Sequence, residues 1–226
     1  MKITILGSGS SGGVPLIGNY WGECDPNNPK NVRTRVSVLV TLDNKNNILI
    51  DTSPDLRMQS ISNNIKKIDA VLWTHAHADH ANGIDDLRQF LWTRKEQLPV
   101  FGSKDTINAL KTRFDYVFSQ DNSYFKPPLK VNTINEGEFS VCSTKAFAFN
   151  QHHGKEFTYG YKVEKFAYST DVKSFPKSFS SIFKDNESAS SIAAGIVINF
   201  FFSKEQILSE IFLCSNLKIF LGSSSG

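Results

Sequence analysis

Cysteine is scarce in this chain. Cys24, Cys142 and Cys214 are far apart, odd in number and form no C-x-x-C pair. That spacing points away from a thiolate zinc knot and suggests no disulfide framework. A reducing, cytoplasmic setting is the expectation. Long apolar runs are also missing. The densest, Ile196 to Phe202, falls far short of the roughly 20 residues that cross a bilayer. Met1–Gly7 reads as a short strand entering a glycine loop, with too little apolar length and no cleavage site for a signal peptide. Neither sign of charge dominates. The 25 Lys and Arg against 22 Asp and Glu leave +3, too small a surplus to mark a nucleic-acid or membrane surface. No internal repeat is evident. Histidine is rare, with five in 226 residues.

Three of those five fall within one hexapeptide, His75-Ala76-His77-Ala78-Asp79-His80. The run before it, Ile68 to Thr74, reads as a buried strand, and the Gly83 region after it as a loop entering a helix. Side chains at the exit of a rigid strand can be aimed at one point. His75 and His77 alternate by two and share a face if strand geometry persists. Asp79 and His80 then fall on the turn and address a neighbouring position. Imidazole and carboxylate without thiolate suit catalytic zinc, manganese or iron better than a structural zinc knot.

With 40% hydrophobic and 21% charged residues, the composition is that of an ordinary globule, most simply one domain over 1–226. Strands are expected at Lys2–Leu6, Val36–Leu42, Asn47–Ile50, Ala70–Thr74, Val131–Ile134, Phe139–Thr144, Phe157–Val163, Phe166–Ser169, Ile196–Phe200 and Lys218–Leu221. Helices are expected at Pro54–Ile65, Ile84–Thr93, Ser103–Tyr116, Phe175–Lys184 and Lys204–Leu213, with Ser53 and Ser103 as N-caps. This order suggests an α/β fold of two sheets covered by helices. Lys184–Ser191 reads as a polar loop and Gly222–Gly226 as a flexible tail.

Four motifs occur in order: Gly7-Ser8-Gly9-Ser10-Ser11-Gly12-Gly13-Val14-Pro15, Ile50-Asp51-Thr52-Ser53-Pro54-Asp55, the hexapeptide, and Tyr168-Ser169-Thr170-Asp171. On these the chain resembles metallo-β-lactamase-fold hydrolases. It is most similar to the phosphodiesterase branch that includes the cyclic-phosphate phosphodiesterase of phosphonate breakdown, and more distantly to tRNA 3′-processing endonucleases. The resemblance spans Met1 to Pro176 and implies an αββα sandwich of two mixed sheets flanked by helices. It also implies two divalent metal ions, zinc or manganese. One would take His75, His77, a later His and an oxygen of Asp171; the other would take Asp79, His80 and the second oxygen of Asp171. The later His is His152 or His153, and the family's His-Gly pairing favours His153. Asp51 is implied to hydrogen-bond a hexapeptide His and set its orientation.

The expected chemistry is hydrolysis of a small cyclic phosphate or nucleotide-like diester by metal-bound hydroxide, with Asp79 orienting the nucleophile. Backbone amides of the Ser10-Gly12-Gly13 loop are candidate phosphate donors, or else a plain tight turn. Arg88 is the favoured phosphate fork over Arg33, Arg35 and Arg57. The expected partners are a small phosphodiester substrate and a second copy in a homodimer, with no membrane and no strong nucleic-acid signal. The family's last core strand ends in Thr-His, whereas Leu217–Leu221 is followed by Gly222-Ser223, and no His follows His153. Residues 184–226 are thus divergent or shortened, and a weak or empty second metal site with reduced turnover is expected. The alternative is a catalytically impaired remnant that binds metal or nucleotide without turnover. A third reading is a metallohydrolase acting on a thioester or lactone.

Overall fold

The computed structural model describes residues 1–91, 94, 96–119 and 129–175, together with the backbone of a short strand at Ile196–Val197. The expected helices at Phe175–Lys184 and Lys204–Leu213, the strand at Lys218–Leu221, the loop at 184–191 and the tail at 222–226 lie, apart from Phe175, outside the described residues. The chain divides into two compact units. The first holds Met1–Tyr20 and Pro26–Ile134, and the second holds Trp21–Asp25 and Asn135–Gly226.

The first unit is built on a six-stranded mixed sheet. Its strands are β1 (Lys2–Gly7), β2 (Ser37–Thr41), β3 (Asn47–Ile50), β4 (Ala70–Leu72), β5 (Leu98–Gly102) and β6 (Leu129–Thr133), in that spatial order. β1, β2 and β3 pair antiparallel, and β3 through β6 pair parallel. Parallel strands are buried on both faces, which explains the unbroken apolar run Ala70-Val71-Leu72-Trp73, all fully buried. Helices α1 (Leu56–Ser62), α2 (Ala78–Ala81), α3 (Lys104–Arg113) and α4 (Asp115–Phe118) belong to this unit, with a 3₁₀ helix at Ile84–Leu91. Leu49, Leu56, Val71, Trp73, Ile84 and Leu110 are central to its core.

Several expectations shift. Ser103 caps α3, its Oγ accepting from the Thr106 N–H at 3.1 Å. Ser53 does not cap α1. The helix starts at Leu56 after Asp55, and Ser53 Oγ accepts instead from the Asp55 N–H within the preceding turn. Strand β5 was not anticipated because Pro99 interrupts the run, and proline is disfavoured inside sheets. Burial of Leu98, Val100 and Phe101 overrides that local signal.

The second unit carries a five-stranded sheet in the order β11-β10-β9-β8-β7. It comprises β7 (Gly137–Val141), β8 (Thr144–His153), β9 (Glu156–Val163), β10 (Phe166–Ser169) and β11 (Ile196–Val197). All pairs are antiparallel except β10 with β11. Strand β8 escaped the sequence reading because Ala146, Ala148, Asn150 and Gln151 are weak strand formers. Its pairing with β9 over the full register Ala146↔Val163 to His153↔Glu156 decides the matter. Cys24 is buried and disulfide-bonded, a departure from the expectation for scattered cysteines.

Candidate metal centre

In the first unit β4 delivers the hexapeptide. The chain leaves the sheet at Trp73, whose N–H still bonds Phe101 C=O, and turns into the single helical turn α2. A strap from the end of β3 grips that turn. Thr52 N–H donates to His80 C=O at 2.8 Å, Gly83 N–H donates to Thr52 C=O at 2.9 Å, and Thr52 Oγ1 donates to Ala81 C=O at 3.1 Å. Trp73 Nε1–H secures the same hydroxyl at 2.9 Å. Gly83 permits this approach, because a Cβ there would lie 2.0 Å from Ser53 C=O. Gly83→Ala is therefore expected to destabilise the protein by about 1–3 kcal/mol, the usual range for overpacking. A thermal melt equal to wild type would refute the tight contact.

Asp51 is the organising group. It is fully buried and follows β3 with φ of 62°, a strained position for a non-glycine residue and one typical of functional sites. Its Oδ1 accepts the Thr74 N–H at 2.8 Å, and its Oδ2 accepts the Thr74 hydroxyl at 2.8 Å and His80 Nδ1–H at 2.7 Å. Burial pushes its carboxyl pKa above the ordinary value, opposed by His80 and the Thr74 bonds. The Thr74 hydroxyl has one proton, directed to Asp51, so at 3.0 Å it accepts from His75 Nδ1–H. Both buried imidazoles thereby carry their proton on Nδ1 and present Nε2 as a lone pair.

Those lone pairs meet further donors. His75 Nε2 lies 2.9 Å from His77 Nδ1, and His80 Nε2 lies 3.4 Å from Asp79 Oδ2. The first two and the last two of these hexapeptide side chains thus form two donor pairs, and the chemistry of each fits a divalent cation. Asp79 and His80 stand on α2 rather than on the expected turn. Sequence reasoning missed Thr74 and Thr52. The signal for Thr74 was its place directly before His75.

In the second unit His153 ends β8 and Asp171 follows β10 with φ of 54°. Neighbours on a strand face opposite sides, so His153 shares a face with Gln151 and not with His152. Buried Gln151 donates to Thr170 C=O and to Thr158 Oγ1 at 3.0 Å, and accepts from Ser169 Oγ at 2.7 Å, fixing the residues that carry Asp171. His153 and Asp171 each offer a ligand atom within 4.8 Å of the other. His152 instead packs on Phe157, ring centroids 4.7 Å apart, and its backbone bridges Ser174.

The other sequence-selected residues are placed as follows. Gly13 (φ of 70°) donates its N–H to Ser10 C=O at 2.9 Å, closing a turn around Ser11-Gly12, so that amide is committed within the loop. Arg88 is exposed on the 3₁₀ helix near Tyr116. The Tyr116 hydroxyl donates to Asp85 Oδ2, and burial with that carboxylate pushes its pKa up to about 12. Arg33 Nη1 donates to Ser8 Oγ at 3.3 Å. Arg35 forks onto Asp55, and that hydrogen bonding, with the fields of Asp55 and Asp79, raises its pKa against the opposing effect of burial.

The Arg35 fork holds the Asp55 carboxyl below its ordinary 3.8. A depressed carboxyl contributes stability above the unfolded-state value and loses it as pH falls through the folded-state value. Asp55→Asn should therefore lower the melting temperature at neutral pH, with the difference from wild type shrinking as pH drops below 3.8. Melts across that range check it, and a pH-independent difference would refute the ion-pair origin.

The beta-lactamase superfamily domain matches residues 46–190. This chain belongs to that family. A solved diphosphatase of the PhnP family is 34% identical and aligns with a TM-score of 0.73, over 81% of this chain and 69% of its own. The short form of human tRNase Z, at 16% identity and a TM-score of 0.56 over 79% of this chain and 72% of its own, shares the fold. An octanoyltransferase of Porphyromonas gingivalis (strain ATCC BAA-308 / W83) is 36% identical over 174 residues, which are 76% of this chain. The chain spans only 35% of that relative's length. The chain has the metallo-β-lactamase fold.

Proposed function

We propose that this protein is a hydrolase, a phosphodiesterase acting on a small cyclic phosphate or nucleotide-like diester with two divalent cations, zinc or manganese. The observation that carries the reading is the pair of convergent donor sets in the hexapeptide. The 34% identity to a PhnP-family diphosphatase supports phosphoryl chemistry. His75 and His77 would hold the first cation and Asp79 and His80 the second; the family resemblance implies His153 and Asp171 as further ligands. Bound there, the cations would supply Lewis acidity, lowering the pKa of water towards neutrality and offsetting charge on phosphoryl oxygens.

The chain's own groups do the rest. Asp51 and Thr74 hold the proton of each neutral imidazole on Nδ1, so His80 and His75 present Nε2 as the ligand lone pair. Asp79 Oδ2 accepts a hydrogen bond from the attacking water and fixes its approach. The amides of Ser10 and Gly12, in the turn closed by Gly13, and the Arg88 guanidinium bind the non-bridging phosphate oxygens. The substrate is a soluble small molecule. No helix among the described residues is long and apolar enough to cross a membrane.

The octanoyltransferase relative motivates a second reading, hydrolysis of an acyl thioester. One experiment separates the readings. Metal per chain is measured on purified protein, with hydrolysis of bis(p-nitrophenyl) phosphate and of an octanoyl thioester under added zinc or manganese. Near two metals with phosphodiester turnover supports the proposal. Turnover on the thioester alone moves the protein to acyl chemistry. One metal or none without turnover identifies a catalytically impaired remnant.

A further inference from the structure

The three hexapeptide imidazoles are not held alike. His80 is fully buried and tied to Asp51, and His75 is 4% exposed and tied to Thr74. His77 is exposed, at the N-cap of α2, with extended backbone (φ of −63°, ψ of 153°). An exposed ring takes its direction chiefly from its backbone, because few packed atoms surround it. What fixes that backbone therefore decides whether His77 Nδ1 meets His75 Nε2.

The peptide preceding His77 is gripped from another element. Arg113 closes α3, a ten-residue helix that begins directly after β5 and is anchored by buried Ile107 and Leu110. Its guanidinium Nη1 donates to the carbonyl of Ala76 at 2.8 Å and reaches Asn82 Oδ1 at 3.3 Å. Ala76 lies between the two ligand histidines, and Asn82 caps α2, its N–H donating to Ala78 C=O. One planar cation on a packed helix thus spans the ligand segment from its entry to its exit.

We propose that Arg113 is a positioning residue of the metal centre, orienting His77 through the Ala76 carbonyl. The inference rests on the metal-binding reading given above and extends it to a residue three elements further along the chain. Arg113 touches no reacting atom in this account. It reduces the freedom of the Ala76–His77 peptide, so that His77 Nδ1 is already aimed when a cation arrives. Outer groups that orient a ligand typically contribute 10–100-fold to metal affinity. Both contacts come from the single nitrogen Nη1; a lysine ammonium can donate there too but lacks the guanidinium's reach and fixed plane, so it should restore affinity partially.

The test uses full-length protein as wild type, Arg113→Ala, Arg113→Lys and Asn82→Ala. Three quantities are read: the melting temperature of metal-stripped protein, cobalt(II) affinity by chelator competition, and the cobalt(II) ligand-field absorption spectrum. Arg113→Ala is expected to weaken cobalt binding by about 10–100-fold and to perturb the spectrum. Its metal-free melt should stay within about 2 °C of wild type, as for a surface change. Arg113→Lys should fall between, and Asn82→Ala should have the smaller effect, in line with its longer contact.

Wild-type affinity and spectrum in Arg113→Ala would overturn the proposal while leaving the metal reading intact. Lost affinity accompanied by a large drop in the metal-free melt would also overturn it, assigning Arg113 a plain folding role. Failure of wild-type protein itself to bind cobalt would overturn the metal reading and this inference together.

Discussion

His77→Ala is expected to lower phosphodiester turnover by about 10³-fold and to remove tight zinc binding at the first donor pair. The size follows from the geometry. His77 Nδ1 and His75 Nε2 face each other at 2.9 Å, so removing one leaves a single imidazole where two converged. The side chain is exposed, and surface substitutions usually fall within about 0.5 kcal/mol. Chemistry and folding are therefore separable in this variant, which is not so for buried His75 or His80. Zinc content, turnover and thermal melt measured on one preparation check it. Full zinc occupancy with full turnover would remove His77 from the site.

Asp51→Asn is the second large effect, and it acts through the hydrogen bond to His80 Nδ1 rather than by removing a donor atom. The carboxylate is acceptor-only and takes the Thr74 N–H on one oxygen and His80 Nδ1–H on the other. An amide offers one acceptor and one NH2. If its oxygen keeps the Thr74 N–H, its NH2 faces His80 and demands an acceptor at Nδ1. The imidazole proton then moves to Nε2, the atom needed as a lone pair. Zinc affinity at the Asp79–His80 pair should fall by about 10–100-fold. The fold should survive, because burial already disfavours the charged form of Asp51 and the neutral isostere removes that penalty. Chelator competition against zinc, with a melt of metal-free protein, separates the two effects. Unchanged affinity would mean that Asp51 does not set the His80 tautomer.

The two predictions probe different levels of the same site. His77 is a donor whose identity is written in the hexapeptide. Asp51 lies 24 positions before His75 in the chain and becomes its neighbour through parallel pairing of β3 with β4, Ile50 against Leu72. The family resemblance implied a bond from Asp51 to some hexapeptide His. The structure places that bond on His80 and adds the Thr74 relay to His75, which no spacing rule encodes. The choice between His152 and His153 shows the same division. Both stand at the end of β8, and only the strand's alternation relative to buried Gln151 puts His153 beside Asp171.

The misplaced elements have physical causes of one kind. Pro99 and the alanines of β8 speak against strands locally, yet pairing with two neighbours and burial of alternate side chains outweigh those preferences. Ser53 looked like a helix cap and instead supports the turn beside the strap that holds α2.

By itself the sequence determined the family, the α/β class and the hexapeptide, because metal-ligand chemistry needs particular residue types at short spacing and those survive without knowledge of the fold. Tertiary structure alone decided which nitrogen each buried histidine offers, because a tautomer is set by the partner across a hydrogen bond, and Asp51 reaches His80 only when two strands pair. It also decided that Arg113, 36 residues beyond His77, meets the Ala76 carbonyl. Contacts between residues far apart in the chain carry no local signature, since they exist only where folding closes the intervening loop.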